Sequence, residues 1–250
     1  MIDNNKEKWI LLLSCIGSTS DVIFKNQLDS LAKSFNILSF DYPGHGLNFK
    51  CDSNFTIYTI VESIISKMDE LKISKISILS ISLGTIISHK LILNYPERFE
   101  TCIFVGAVID FSMNMIKYLF KFFTIIEPFM WYKLYLKVMI KMIIPYGTDE
   151  KRRKKLYLYL SNINKKVIGK WLKIMADEIF FYNNRLNMKK ISELKIKKVY
   201  LSGNKDLIFL RGLDNIYVND YNLVYIINDA GHFCHIDKEE EFNNFIKSNL

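Results

Sequence analysis

Three side chains far apart in the sequence carry the groups that nucleophilic acyl chemistry requires: the hydroxyl of Ser82, the carboxylate of Asp206 and the imidazole of His232. The first lies in Ser80–Ile81–Ser82–Leu83–Gly84, between an apolar run and a helical pattern. A sharp strand-to-helix turn of this kind lifts a serine oxygen clear of a sheet. It requires small residues two before and two after the serine. The usual spacing is G-x-S-x-G, and here Ser80 stands at the first glycine position. Ser82 would open a helix, where the backbone N–H of Leu83 can stabilise an oxyanion. His232 would take the serine proton, while Asp206 would orient the imidazole and stabilise its cation. Alone, the pentapeptide is a weak signal.

The elements that must position these groups strengthen it. Apolar runs alternate with helical patterns, as in a parallel sheet with crossover helices. The predicted strands are residues 8–14, 36–40, 75–81, 101–106, 197–202 and 223–228. The predicted helices are residues 21–35, 55–71, 83–94 and 238–247. This is an α/β pattern, a doubly wound and mostly parallel sheet of about six strands. Ser82 follows the third strand, Asp206 lies beyond the fifth and Asp229–Ala230–Gly231–His232 follows the sixth. Ligands bind outside the carboxyl ends of such strands, so all three groups are expected at one edge.

Each residue also has a plainer reading. Ser82 could be only a helix N-cap, and Asp206 only a turn or cap residue. Asp229 is the substitute acid. His235 competes with His232, but it is expected at the start of the last helix rather than straight after the strand. His45 reads as structural and His89 as a packing residue. Cys15 and Cys234 have no evident base to activate them.

The motifs together resemble the α/β-hydrolase superfamily. Asp41–Tyr42–Pro43–Gly44–His45–Gly46 is similar to its D-x-x-G-H-G turn, and the segment from Ala230 to Asp237 is similar to its terminal histidine segment. Ser, Asp and His also occur in that family's order. The resemblance covers the chain outside residues 110–190. It implies strand order 2-1-3-4-5-6, without the two strands that often precede the first, and a helical cap shaping access. It further implies a second oxyanion N–H from Ile16, in the loop Ser14–Cys15–Ile16–Gly17–Ser18. That loop commonly begins His-Gly. Cys15 lacks glycine's backbone freedom, and Ser in place of His is similar to enol-lactone hydrolases of the superfamily.

Residues 110–190 interrupt the alternation and divide the chain into a core, 1–109 and 191–250, and an inserted helical cap. The insertion is dense in Met, Phe, Tyr and Leu, with Lys117/Lys121 and Lys133/Lys137/Lys141 four apart on helical faces. It holds 17 Lys and Arg against 6 Asp and Glu, a net of +11 within a chain of net charge +8. Lys is also a common way to solubilise helices. Its functional reading is an anionic partner, such as an acidic acyl carrier protein or a coenzyme A thioester. A membrane surface is the less favoured partner, and nucleic acid is not expected.

At 250 residues, half of them hydrophobic, the chain can bury one core and is not disordered. No uncharged run reaches the roughly 18 residues of a membrane helix. The N-terminus lacks a signal-peptide pattern. Four scattered cysteines, with no CxxC spacing, fit reduced thiols in a cytoplasm and make a structural zinc unexpected. No metal or organic cofactor is expected. The expected activity is hydrolysis of a carboxylic ester or thioester through an acyl-enzyme on Ser82. A medium or long acyl group would lie against the apolar cap. Lactonase, carbon–carbon hydrolase and non-hydrolytic lyase chemistry fit the same triad. A non-catalytic ligand-binding protein of the same fold is the alternative from another class.

Overall fold

The structure is a computed structural model that describes residues 1–50, 54–110, 132–144, 150–181 and 184–250. The apolar runs form six parallel strands: β1 (Trp9–Leu13), β2 (Asn36–Ser39), β3 (Ile76–Ile81), β4 (Phe99–Val105), β5 (Lys197–Gly203) and β6 (Asn222–Ile227). Their order is β2-β1-β3-β4-β5-β6, as the family resemblance implies. The register pairs Leu13 with Ser80, Ile81 with Val105, Val105 with Leu201, and Gly203 with Ile227. The strands therefore end close together at the carboxyl edge.

Successive residues of a strand point to opposite faces, and here both faces are apolar. Leu11, Leu13, Ile78 and Phe104 belong to one buried layer. Ile10, Leu12, Leu79 and Val105 belong to the other. Helices α1 (Ser20–Ile23), α2 (Lys25–Leu31), α3 (Ile57–Glu70) and α4 (Leu83–Asn94) cover the sheet. A capping box starts α3: the Thr59 N–H donates to Thr56 Oγ1 at 3.1 Å, and the Thr56 N–H donates to Thr59 Oγ1 at 2.9 Å. The single helix expected over 21–35 is broken at Phe24 and stops at Leu31. The Phe24 ring is fully buried, 5.7 Å from the ring of His235, and the backbone leaves the helical region there. The other predicted boundaries move by at most two residues.

Between β4 and β5 lie α5 (Tyr132–Ile143), α6 (Glu150–Asn162), α7 (Lys165–Ala176), a π-helical turn (Asp177–Phe181) and α8 (Asn184–Glu193). The Lys117/Lys121 pair falls outside the described residues. Leu160, Ile163, Val167 and Trp171 join the same apolar layer as α3 and α4. The Trp171 indole N–H donates to the Pro43 carbonyl at 3.0 Å, and its ring lies 4.9 Å from that of Phe55. The Lys90 ammonium of α4 and the Glu178 carboxylate form a 3.1 Å ion pair that is almost wholly buried. The insertion is thus packed into the core, against the turns that leave β1 and β2. Two helices close the chain, α9 (Cys234–Asp237) and α10 (Glu239–Asn249), so His235 falls in a short helix of its own.

Candidate functional site

Ser82 joins β3 to α4 with φ 52° and ψ −117°. A non-glycine residue held there costs roughly 1–3 kcal/mol, so its surroundings must impose the conformation. They do so through hydrogen bonds. The Ser82 N–H donates to the Val105 carbonyl at 3.0 Å. The Ser82 carbonyl accepts from the Thr85 N–H at 2.9 Å and from the Thr85 hydroxyl at 2.6 Å. Thr85 in turn accepts from the Val108 N–H at 3.0 Å. Ser82 occupies the N-cap position, but its hydroxyl makes no capping bond. The cap reading therefore fails.

The flanking small residues have separate reasons. A Cβ on Gly84 would come within 2.4 Å of the Leu13 carbonyl oxygen, so a side chain there would force α4 away from β1. Ser80 faces no such limit. It is fully buried and its hydroxyl donates to the Ile103 carbonyl at 3.3 Å. Serine substitutes for the usual glycine without an orphaned polar atom.

Asp206 and His232 are both buried, and His232 Nδ1 lies 2.8 Å from Asp206 Oδ2. The other carboxylate oxygen accepts from the N–H groups of Ile208 at 3.0 Å and Phe209 at 3.2 Å, while Ser202 Oγ donates to Oδ2 at 3.3 Å. Burial alone would push this carboxyl up. The His232 charge and hydrogen bond, with the two backbone donors, outweigh it and hold the carboxyl below its ordinary value. Asp206 is thus built to stay ionised. A proton on Nδ1 leaves Nε2 as the free acceptor.

Ser82 follows β3 and His232 follows β6, and the end of β4 lies between them. Val105 accepts the Ser82 N–H, and the next residue, Gly106, rests against the imidazole. His232 Nε2 is buried and makes no hydrogen bond, so the Ser82–His232 bond is not closed in this structure. Catalytic hydrogen bonds often tighten only when substrate is bound.

Leu83 is the first residue of α4, where backbone N–H groups have no intrahelical acceptor. The Ile16 loop is held on both sides. Tyr42 Oη donates to the Ser14 carbonyl at 3.2 Å, and the Gly17 N–H donates to His45 Nε2 at 2.9 Å. The left-handed conformation of this loop falls on Gly17, φ +80°, and not on Cys15. Cys15 therefore fills its position without backbone strain, which removes the objection raised by the missing glycine. Its thiol is pushed up to about 12 by burial and stays protonated.

The competing residues fall elsewhere. Asp229 is exposed and pairs with Lys205 at 2.8 Å, so it is not the acid facing His232. His235 Nε2 lies 3.1 Å from the Ile23 carbonyl, inside the fold. His89 packs 4.6 Å from the ring of Phe104. Burial lowers His45 to about 4 and His89 and His235 to about 3, so all three are neutral at pH 7. Gly106 and Thr85 were not foreseen. Each acts through a contact distant in sequence, which no local pattern announces. Among the described residues no group of three or more His, Cys, Asp or Glu side chains could hold a metal ion, and no helix is long and apolar enough to cross a membrane.

The sequence model of one protein family, described as the alpha/beta hydrolase fold, matches residues 8–239. No curated protein matches the chain. Among solved structures, a hydrolase from Pseudomonas aeruginosa is 16% identical with a TM-score of 0.81, over 100% of this chain and 92% of its own. An enol-lactonase from Burkholderia xenovorans is 19% identical with a TM-score of 0.74, over 97% and 91%. A bromoperoxidase from Bacillus anthracis is 17% identical with a TM-score of 0.74, over 98% and 92%. At these identities the likeness is one of fold, and the neighbours differ in chemistry.

Proposed function

Because the chain belongs to the alpha/beta hydrolase fold family, we propose that it hydrolyses a carboxylic ester or thioester through an acyl-enzyme on Ser82. The observation that carries this reading is the imidazole of His232. One ring nitrogen is tied to the ionised Asp206, and the other is buried without a hydrogen-bond partner, on an imidazole that rests against Gly106, the residue after the Val105 carbonyl that accepts the Ser82 N–H. In the first half-reaction Nε2 accepts the Ser82 proton as the serine oxygen attacks the acyl carbonyl. The N–H groups of Leu83 and Ile16 stabilise the oxyanion. The imidazolium then returns its proton to the leaving alcohol or thiol. A water molecule repeats the sequence and releases the acid.

The apolar side chains of the insertion support an aliphatic or aromatic acyl group, with the insertion acting as a cap. Its positive charge supports an anionic leaving group such as an acidic carrier thioester. Lactone opening is a second reading on the same groups. It is favoured by Ser14 at the start of the oxyanion loop and by likeness to the enol-lactonase.

A fluorophosphonate probe tests the assignment. The wild-type protein is expected to be labelled on Ser82, and Ser82→Ala to be unlabelled. Hydrolysis of short p-nitrophenyl esters and acyl thioesters is expected to fall at least about a thousandfold in that variant. Equal labelling of both proteins would overturn the nucleophile. Labelling without turnover of any ester, thioester or lactone would overturn the hydrolase reading.

A further inference from the structure

A pocket of about 270 Å³ lies between the loop after β1, α1, α6 and the start of α9, with Cys15 and Gly17 of the Ile16 loop and Phe233, next to His232, in its wall. Neither Ser82 nor His232 lines it. One wall is apolar, made by Val22, Ile23, Leu156, Phe233 and Ile236, while Arg152 and Lys155 stand on α6 and Ser18 and Thr19 on the loop. The two cations are not equivalent. Arg152 Nη1 pairs with Asp237 Oδ1 at 3.1 Å, and the other oxygen of Asp237 accepts from the Gly231 N–H at 2.9 Å. That pairing compensates the guanidinium charge locally. Lys155 is exposed on the same helix and lines the pocket, while the Asp41 and Asp21 charges act on Tyr159 in its wall. The neighbouring Lys151, Arg153 and Lys154 add a positive field around it.

An apolar cleft with a cationic rim complements an amphipathic anion better than a neutral lipid. We propose that this pocket binds a medium-chain carboxylate, its tail on the Val22–Ile236 wall and its head at Lys155 and Arg152. The volume falls just below the roughly 300–1,000 Å³ typical of drug-sized ligands, which suits a single short chain. The inference goes beyond the hydrolase reading: the pocket adjoins the Ile16 loop through Cys15 and Gly17, but Ser82, Asp206 and His232 are not among its lining residues.

Isothermal titration of the full chain with decanoate, and with decanol as the neutral control, tests it. The result expected is saturable binding of decanoate, with decanol at least about tenfold weaker. Val22 is half-exposed, so Val22→Trp fills the cleft from the surface without disturbing the core. It is expected to weaken decanoate about tenfold or more, and Lys155→Glu by about fivefold or more, with circular dichroism unchanged. Absence of decanoate binding, or undiminished binding in Val22→Trp, overturns the site. Equal binding of decanol, or undiminished binding in Lys155→Glu, overturns the anion selectivity on which the proposal rests. None of these measurements needs turnover, so failure here is distinct from failure of Ser82 as a nucleophile.

Discussion

The imidazole of His232 rests directly on the backbone of Gly106. A Cβ at residue 106 would lie 2.6 Å from His232 Cε1 and 2.7 Å from Nδ1. Gly106 also has φ +53°, and its N–H donates to the Leu201 carbonyl at 2.8 Å. It therefore fixes the height of the imidazole above the strand ends.

Gly106→Ala should displace the imidazole, because the glycine is anchored through β5 and cannot retreat. Backbone strain of roughly 1–2 kcal/mol is expected in unfolding free energy. The larger effect is on turnover, since a shift of about 1 Å in a reacting group can cost about a hundredfold. Ester hydrolysis by purified Gly106→Ala checks this. Activity within threefold of wild type would mean that the contact does not set the imidazole position.

Two aspartates near the site predict opposite outcomes. Asp206→Asn keeps the shape of the buried side chain but removes the charge that stabilises the imidazolium and fixes its tautomer. A loss of about 10³–10⁴ in kcat is expected, by analogy with serine protease triads. Asp229→Asn breaks only an exposed ion pair with Lys205 and should leave kcat within about twofold. If Asp229→Asn proved the more damaging of the two, the acid would be wrongly assigned.

The buried histidines predict an acid-sensitive fold. His45, His89 and His235 are held neutral by burial, at about 4, about 3 and about 3, against an ordinary value of 6.5. Below pH 6.5 the unfolded chain takes up protons that the native state refuses. Stability is therefore complete above 6.5 and falls as the pH drops toward those native values. Between pH 7.5 and 5.5 each histidine contributes a loss of up to about 1.4 kcal/mol. Urea midpoints at the two pH values measure the sum. A midpoint that does not fall at pH 5.5 would contradict the burial of all three.

The expectation that six strands carry three catalytic groups to one edge rested on local signals: apolar runs, a serine between a strand and a helix, and polar residues just after β5 and β6. Those signals survive because a parallel strand is buried on both faces and leaves no doubt about its type. Residues that act across the fold gave no such signal. Whether Cys15 was strained depended on Gly17 taking the positive φ, and the role of His45 depended on a hydrogen bond reaching back 28 positions. The break at Phe24 was set by packing against His235, more than 200 residues away.

The Lys90–Glu178 pair was equally invisible, and it yields the sharpest stability prediction. It joins α4, which begins just after Ser82, to the inserted helices, and both residues are under a tenth exposed. Burial pushes the Glu178 carboxyl up, with the Lys90 charge opposing it. Taking two charges out of water costs several kcal/mol, and their attraction offsets this only while both are present. Lys90→Met should therefore cost roughly 3–5 kcal/mol by stranding a carboxylate, and Glu178→Leu should also destabilise by removing the carboxylate that faces a buried ammonium. Replacing both together should return stability to within about 1–2 kcal/mol of wild type, since the desolvation cost disappears with the pair. A double-mutant cycle in urea measures the coupling. If the two losses simply add, the side chains act independently and the ion pair does not hold the insertion to α4.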